Sequence, residues 1–282
     1  MGTDQGKTSN MNGLAIMAGF RAENVATLGT TTFRPPFTPI PLGAVGGLNS
    51  HANLTPVRTT PLYHWHKTKG APFANAGQWL RAQAYPNFGE DLETAVQREA
   101  KHVRNHVGIV DISTLGKIDI QGRDSLKFLE RIYVNDLSNL ALGKCRYGLM
   151  LREDGLVDDD GTVTRISENR YMISTTTLHA GAVISRLEYL SQVVWPDLDI
   201  HLLLVTDDWA GIGIAGPQSR KVLERLINTD ISNTVFPFMA YAEVTISDIV
   251  CRLFRISFSG ELAFEINMAP SHMCTIWEAL LN

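Results

Sequence analysis

Gly116-Lys117-Ile118-Asp119-Ile120-Gln121 is followed, two residues on, by Asp124-Ser125-Leu126-Lys127-Phe128-Leu129-Glu130-Arg131-Ile132. The first stretch alternates polar and apolar residues, the period of a β-strand with one face turned to a core. The second spaces its apolar residues as a helix does. Further strands are predicted over 146–151 and 171–175, then a longer helix over 180–194 that Pro196 closes. The same rhythm returns downstream. Strands are expected at 200–206 and 210–214, a helix at 218–227, strands at 242–246, 251–257 and 263–267, and a last helix from His272. Two α+β halves, each with helices packed on an antiparallel sheet, fit this order.

Upstream, Thr60-Pro61 reads as an N-cap and first helical position for a helix over 62–69. Residues 92–107 carry Leu92, Val96, Val103 and Val107 at helical spacing, with Gly108 as the stop. Residues 1–58 differ in kind. Six glycines from Gly13 to Gly47 and the prolines 35, 36, 39 and 41 leave room for one short helix over 20–28, ended by Gly29, and for extended backbone after it. That segment cannot bury a core of its own, so it is taken as a tail and linker, with a domain over 59–282. The final helix reaches Leu281-Asn282 without a cap, which suggests a truncated C-terminus.

Composition narrows the function. The 282 residues are 44% apolar, enough for a sizeable core and about two domains. With 25 basic and 29 acidic residues the net charge is -4, so no broad positive field favours nucleic acid or an anionic membrane. No apolar run approaches the roughly 20 residues needed to span a bilayer, and no signal peptide is recognisable, which points to the cytoplasm. Cys145, Cys251 and Cys274 lie far apart and are odd in number, arguing for reduced thiols rather than a disulfide framework or zinc knuckle.

Two acidic clusters could carry chemistry. In Arg152-Glu153-Asp154-Gly155-Leu156-Val157-Asp158-Asp159-Asp160-Gly161, three adjacent carboxylates fall between two predicted strands. Crowded like charges should raise at least one pKa if the site is partly buried, as a proton acceptor for an amine requires. A solvated Asp/Gly turn accounts for the same residues. In Ser257-Phe258-Ser259-Gly260-Glu261-Leu262-Ala263-Phe264-Glu265, the two glutamates are four apart and would share one face of a strand. A carboxylate turned inward needs a partner, and the N–H array of a pterin ring would supply one. A β-bulge with exposed acids is the plainer reading. His64 and His66, two apart on a predicted helix, point to different faces, so a metal site is rejected. No dinucleotide fingerprint or nucleophile elbow is present.

Four stretches carry a family resemblance: residues 31–39 (Thr-Thr-Phe-Arg-Pro-Pro-Phe-Thr-Pro), 111–119 (Asp-Ile-Ser-Thr-Leu-Gly-Lys-Ile-Asp), 147–155 (Tyr-Gly-Leu-Met-Leu-Arg-Glu-Asp-Gly) and 255–265 (Arg-Ile-Ser-Phe-Ser-Gly-Glu-Leu-Ala-Phe-Glu). They are similar to α subunits of heterotetrameric sarcosine oxidases. The first resembles the end of the NAD-binding oxidase half of that family, and the others its second half, which resembles the aminomethyltransferase (T-protein) of the glycine cleavage system. The resemblance implies an α+β fold of two ferredoxin-like antiparallel-sheet/helix halves that binds tetrahydrofolate, with a C-terminal β-barrel beyond Asn282.

Carried over residue by residue, the resemblance puts the catalytic aspartate on Asp160, with Asp159 beside it, and the pterin-binding glutamate on Glu265, with Glu261 the outer acid. Tyr147 and Leu115 correspond to pocket walls. The chain departs from the transferases at Phe258, where they have a tyrosine near the folate, and at Gly155-Leu156, where they have two glycines. Both changes favour the oxidase branch. The implied reaction oxidises sarcosine on a flavin of the β subunit and passes the one-carbon unit to tetrahydrofolate. NAD, FAD, FMN and the smaller subunits belong to the full assembly. A non-catalytic folate-binding or assembly module and a stand-alone aminomethyltransferase are the other readings.

Overall fold

The computed structural model describes residues 16–22 and 58–282. It divides into two units, Met1–Pro56 and Val57–Asn282. In the first unit residues 16–21 are helical and Ala22 has a φ of 52°. This helix is ending where the one expected over 20–28 should begin; the rest of that expectation, the proline cluster and the stretch 31–39 lie outside the described residues.

The second unit opens with a small sheet and two helices. Strands β1 (Arg58–Thr59), β2 (Phe73–Ala76) and β3 (Trp79–Ala82) form a sheet in the order β1-β3-β2. Helix α1 (Tyr63–Thr68) starts at Leu62, not at the expected Thr60 cap. Thr60 is buried instead, near Asp111, whose carboxyl it helps to hold below its ordinary value. Helix α2 (Leu92–Asn105) begins on Asp91, whose carboxylate accepts the Thr94 N–H at 2.8 Å, an N-cap of the usual kind. It stops two residues short of the expected 107. Gly108 belongs to the next strand, where a Cβ would lie 2.5 Å from a Val103 methyl.

The body of the unit is two five-stranded antiparallel sheets. In chain order the first half runs β5 (Gly116–Gln121), α3 (Ser125–Ile132), β6 (Lys144–Leu151), β7 (Val157–Ser167), β8 (Arg170–Thr175), α4 (Ala180–Tyr189) with a π turn over Leu190–Val194, and β9 (His201–Leu204). Its sheet order is β6-β7-β8-β5-β9. The second half runs β10 (Ala210–Ala215), α5 (Ser219–Glu224), β11 (Tyr241–Ile246), β12 (Ile249–Phe254), β13 (Ala263–Met268) and α6 (Met273–Leu281). Its order is β11-β12-β13-β10-β4, with β4 (Gly108–Asp111) drawn from upstream of the first half. The two orders match position for position, so β4 fills the place that β9 holds in its own sheet.

Strand alternation sorts the side chains of each sheet. On the first, Ile118, Ile120, Val163, Tyr171 and Ile173 join Phe128, Leu129, Val183 and Leu187 of α3 and α4 in one core. On the second, Ile212, Ile214, Leu253, Phe264 and Ile266 pack with Leu223, Ile276 and Trp277. At roughly 1.5–3 kcal/mol for each fully buried side chain of this size, these layers supply most of the driving force. The opposite faces meet each other through a smaller cluster of Cys145, Met172, Tyr241, Phe254 and Ile256. Polar residues of the alternating strands end up in this seam, where Lys117, Asp119 and Asn267 are all buried. Asp119 is satisfied there by Arg170, whose Nε lies 2.9 Å from one carboxylate oxygen, and by Gln121 at 3.0 Å.

The longest strand, β7, replaces the expected turn at the three aspartates. The reversal lies earlier, over 152–156, where Gly155 takes a φ of +80° and Arg152 N–H bonds to Leu156 O at 2.9 Å.

Candidate active site

Glu265 lies at the centre of the seam. Its neighbours on β13, Phe264 and Ile266, face the helix-side core, so Glu265 and Asn267 face the first sheet. Across the ladder Glu265 is paired with Gly213 on one side and Phe254 on the other, and the glycine leaves the carboxylate uncrowded. It is only partly exposed, has no hydrogen-bond partner among the described residues, and its pKa is raised by burial, an effect that Lys117 opposes.

Glu265 lines a cavity of about 480 Å³ together with Ile112, Leu115, Gly213, Ile256 and Phe258. Phe258 stands fully exposed at 102% of its reference area in the loop before β13. Leu115 and Glu265 also line a small pocket of about 10 Å³ with Lys117, Thr162, Ser174 and Asn267. The Asn267 side-chain oxygen is buried without a partner among the described residues. Three of the expected binding residues, Leu115, Phe258 and Glu265, are thus brought to one cavity. Glu261 is not on the strand with Glu265. It precedes β13 and pairs with Arg104 of α2 at 2.9 Å, so the two glutamates do not share a strand face.

Asp160 lies on β7 two residues from Thr162, hence on the face that carries the pocket, about 7 Å further along the strand. Tyr147, on neighbouring β6, donates its hydroxyl to Asp160 Oδ2 at 2.8 Å. That bond, with the carboxylate so near, raises the phenol's pKa. Tyr147 is half-exposed and stands beside Asp160, outside the walls formed by Leu115 and Glu265.

The three consecutive aspartates do not crowd one another. A bulge at Met150/Leu151 leaves Asp158 unpaired, and it reaches Arg186 of α4 at 2.5 Å. Asp159 turns to the opposite face, where Thr176 donates its hydroxyl at 2.6 Å and its N–H at 3.2 Å. The pKa of Asp159 is raised, and the main cause is burial, not the neighbouring carboxylates expected to drive it. His66 is likewise engaged: its ring nitrogens contact Asp111 at 3.3 Å and Tyr85 at 2.6 Å.

Sequence reasoning missed Lys117, Asn267, Thr162 and Ser174. The signal was available for Lys117, since alternation in 116–121 sets it opposite to Ile118, but that face reads as solvated until a second sheet covers it.

Residues 62–282 match the family model of the GCVT N-terminal domain. The chain belongs to the GCVT N-terminal domain family. Residues 1–48 match the sarcosine oxidase A3 domain. Sarcosine oxidase subunit alpha of Rhizobium meliloti (strain 1021) is 46% identical over the whole chain, and that of Corynebacterium sp. (strain P-1) 45% over 98% of it; in both cases the chain spans 29% of the relative's length. The aminomethyltransferase of Desulfitobacterium hafniense (strain Y51) is 27% identical over 81% of the chain and 59% of that protein. The crystal structure of glycine cleavage system aminomethyltransferase T from Bartonella henselae superposes with a TM-score of 0.66 at 26% identity, covering 80% of this chain and 57% of that one. The antiparallel α+β architecture is therefore that of the GCVT family. Among the described residues no helix is long and apolar enough to cross a membrane.

Proposed function

We propose that this GCVT-family chain is the tetrahydrofolate-handling part of the α subunit of a heterotetrameric sarcosine oxidase, receiving the one-carbon unit released when sarcosine is demethylated to glycine and yielding methylenetetrahydrofolate. The observation that carries the reading is the Glu265 carboxylate, unpartnered among the described residues, at an apolar cavity whose opposing strand residue is a glycine. A pterin fits these groups. Its N–H edge matches a carboxylate in bidentate fashion, its faces suit Leu115 and Ile256, and the orphaned Asn267 oxygen offers a further acceptor nearby. The relatives at 45–46% identity, all sarcosine oxidase α subunits, favour the oxidase over a stand-alone transferase.

Within this reading Glu265 fixes the orientation of the ring by accepting two N–H bonds. Phe258 flanks the mouth of the cavity. Tyr147 holds the Asp160 carboxylate in one position, and Asp160 takes the proton that the folate amine gives up as its nitrogen bonds to the one-carbon electrophile. The flavin that oxidises the amine is carried elsewhere in the assembly, on the β subunit; the smaller subunits and the NAD, FAD and FMN groups likewise belong to the full assembly. A cytoplasmic location accords with such an assembly.

Replacing Asp160 by Asn in the assembled enzyme should lower one-carbon transfer to tetrahydrofolate by about 100-fold or more, while sarcosine oxidation and folate binding stay measurable. Unchanged transfer would show that Asp160 is not the proton acceptor.

A further inference from the structure

Lys117 is the second residue of β5 and lies on the face that meets the second sheet. It is 3% exposed. Its ammonium donates to Ser113 O at 3.1 Å and Leu115 O at 3.0 Å, which leaves one of its three N–H bonds without a partner among the described residues. A charged lysine is rarely buried without an anion to answer it. The small pocket that Lys117 lines is also lined by Glu265, which itself has no hydrogen-bond partner among the described residues. Among the described residues the two charges form no ion pair at contact distance, yet both line the same pocket and each acts on the other electrostatically.

We propose that Lys117 is a positioning residue, a fixed counter-ion anchored by two carbonyls that keeps Glu265 a carboxylate and so able to accept hydrogen bonds from the ligand in the cavity. The inference rests on the folate reading for the ligand, and on the geometry alone for the pairing. Burial by itself would drive both groups to their neutral forms, raising the Glu265 carboxyl and pushing the Lys117 amine down to about 8; in each case the partner's charge opposes the shift. The other charged groups felt by Lys117 are Asp111, at the end of β4, and Asp207, in the loop after β9. On the first sheet Cys145 of β6 is the further titratable group that feels Glu265. Neither aspartate lines the pocket, so Glu265 is the anion placed to share it.

The coupling can be read without any ligand. Carbon-13 NMR of the Glu265 carboxyl and the Lys117 ε-carbon would be followed against pH in the native chain, Lys117→Met and Glu265→Gln. Glu265 should titrate at least one unit higher in Lys117→Met, and Lys117 should titrate lower in Glu265→Gln by a similar amount, because a pairwise interaction acts equally on both partners. The second variant is close to isosteric and gives the answer even if the methionine variant does not fold. Titration with tetrahydrofolate at a pH below both Glu265 inflections should show about tenfold weaker binding to Lys117→Met, with the loss shrinking as pH rises past the new Glu265 inflection. Glu265 and Lys117 inflections that ignore each other's replacement overturn the proposal, whether or not folate binds. Coupled inflections in a protein that binds no tetrahydrofolate uphold the pairing and remove the folate reading instead.

Discussion

Asp159 shows how one residue step changes the chemistry of a carboxylate. Asp160 meets a tyrosine hydroxyl at the face that carries the pocket, whereas Asp159 is buried against Thr176 and its pKa is raised by desolvation. A carboxyl whose folded pKa lies above its unfolded value favours folding most when protonated. That contribution is fully present below the ordinary aspartate range and is lost as pH rises through the raised folded value. Asp159→Asn removes the titration, so its melting temperature relative to the native protein should climb between pH 4 and pH 8, by about 2–4 °C for each kcal/mol involved. A difference that stays flat across that range would mean Asp159 is not penalised for its charge. The cluster as a functional candidate was legible in the sequence; which aspartate faces which way was not. That depended on the bulge opposite Met150/Leu151, which changes the facing of Asp158 without leaving a mark in the residue types.

At the scale of elements, β7 and β8 approach each other through Gly161. A Cβ there would sit 2.0 Å from Ser174 O, a backbone atom that cannot step aside. Gly161→Ala should therefore destabilise the fold by about 1–3 kcal/mol, the usual cost of overpacking, and should displace Asp160 next to it. Gly181 in α4 makes the contrast, since a Cβ there meets nothing within 4 Å; Gly181→Ala should be neutral or stabilising by up to about 1 kcal/mol. Thermal melts of the two variants check both, and a Gly161→Ala protein as stable as the native one would contradict the close approach. Most strands and helices of the two halves could be anticipated because period 2 and period 3.6 survive in sequences such as 116–121 and 124–132. β7 could not, since Asp158-Asp159-Asp160-Gly161 has the composition of a turn. What keeps that stretch extended is its pairing with β6, continued from Val163 onward by pairing with β8 as well, and that is not a local property.

Over the whole unit, two sheets with matching strand orders turn their apolar faces outward to helices and their mixed faces toward each other. The second sheet is completed by β4, from upstream of the first half, so the halves are tied by chain connection as well as by the seam. The repeat of the two halves was visible in the rhythm of the sequence. The exchange of β4 was not, because a four-residue strand, Gly108–Asp111, declares no partner. The seam also explains why Lys117 was not singled out: Glu265 falls in a motif that carries the family resemblance, but a lysine in an alternating strand looks solvated until its sheet is covered. The proposed function makes Glu265, in this seam, the carboxylate that recognises folate. Its most direct test is calorimetric titration of the chain with tetrahydrofolate beside Glu265→Gln. Saturable binding to the native chain, weakened about tenfold or more by the substitution, is the predicted result; equal affinity for both proteins, or no binding to a folded native chain, would contradict it.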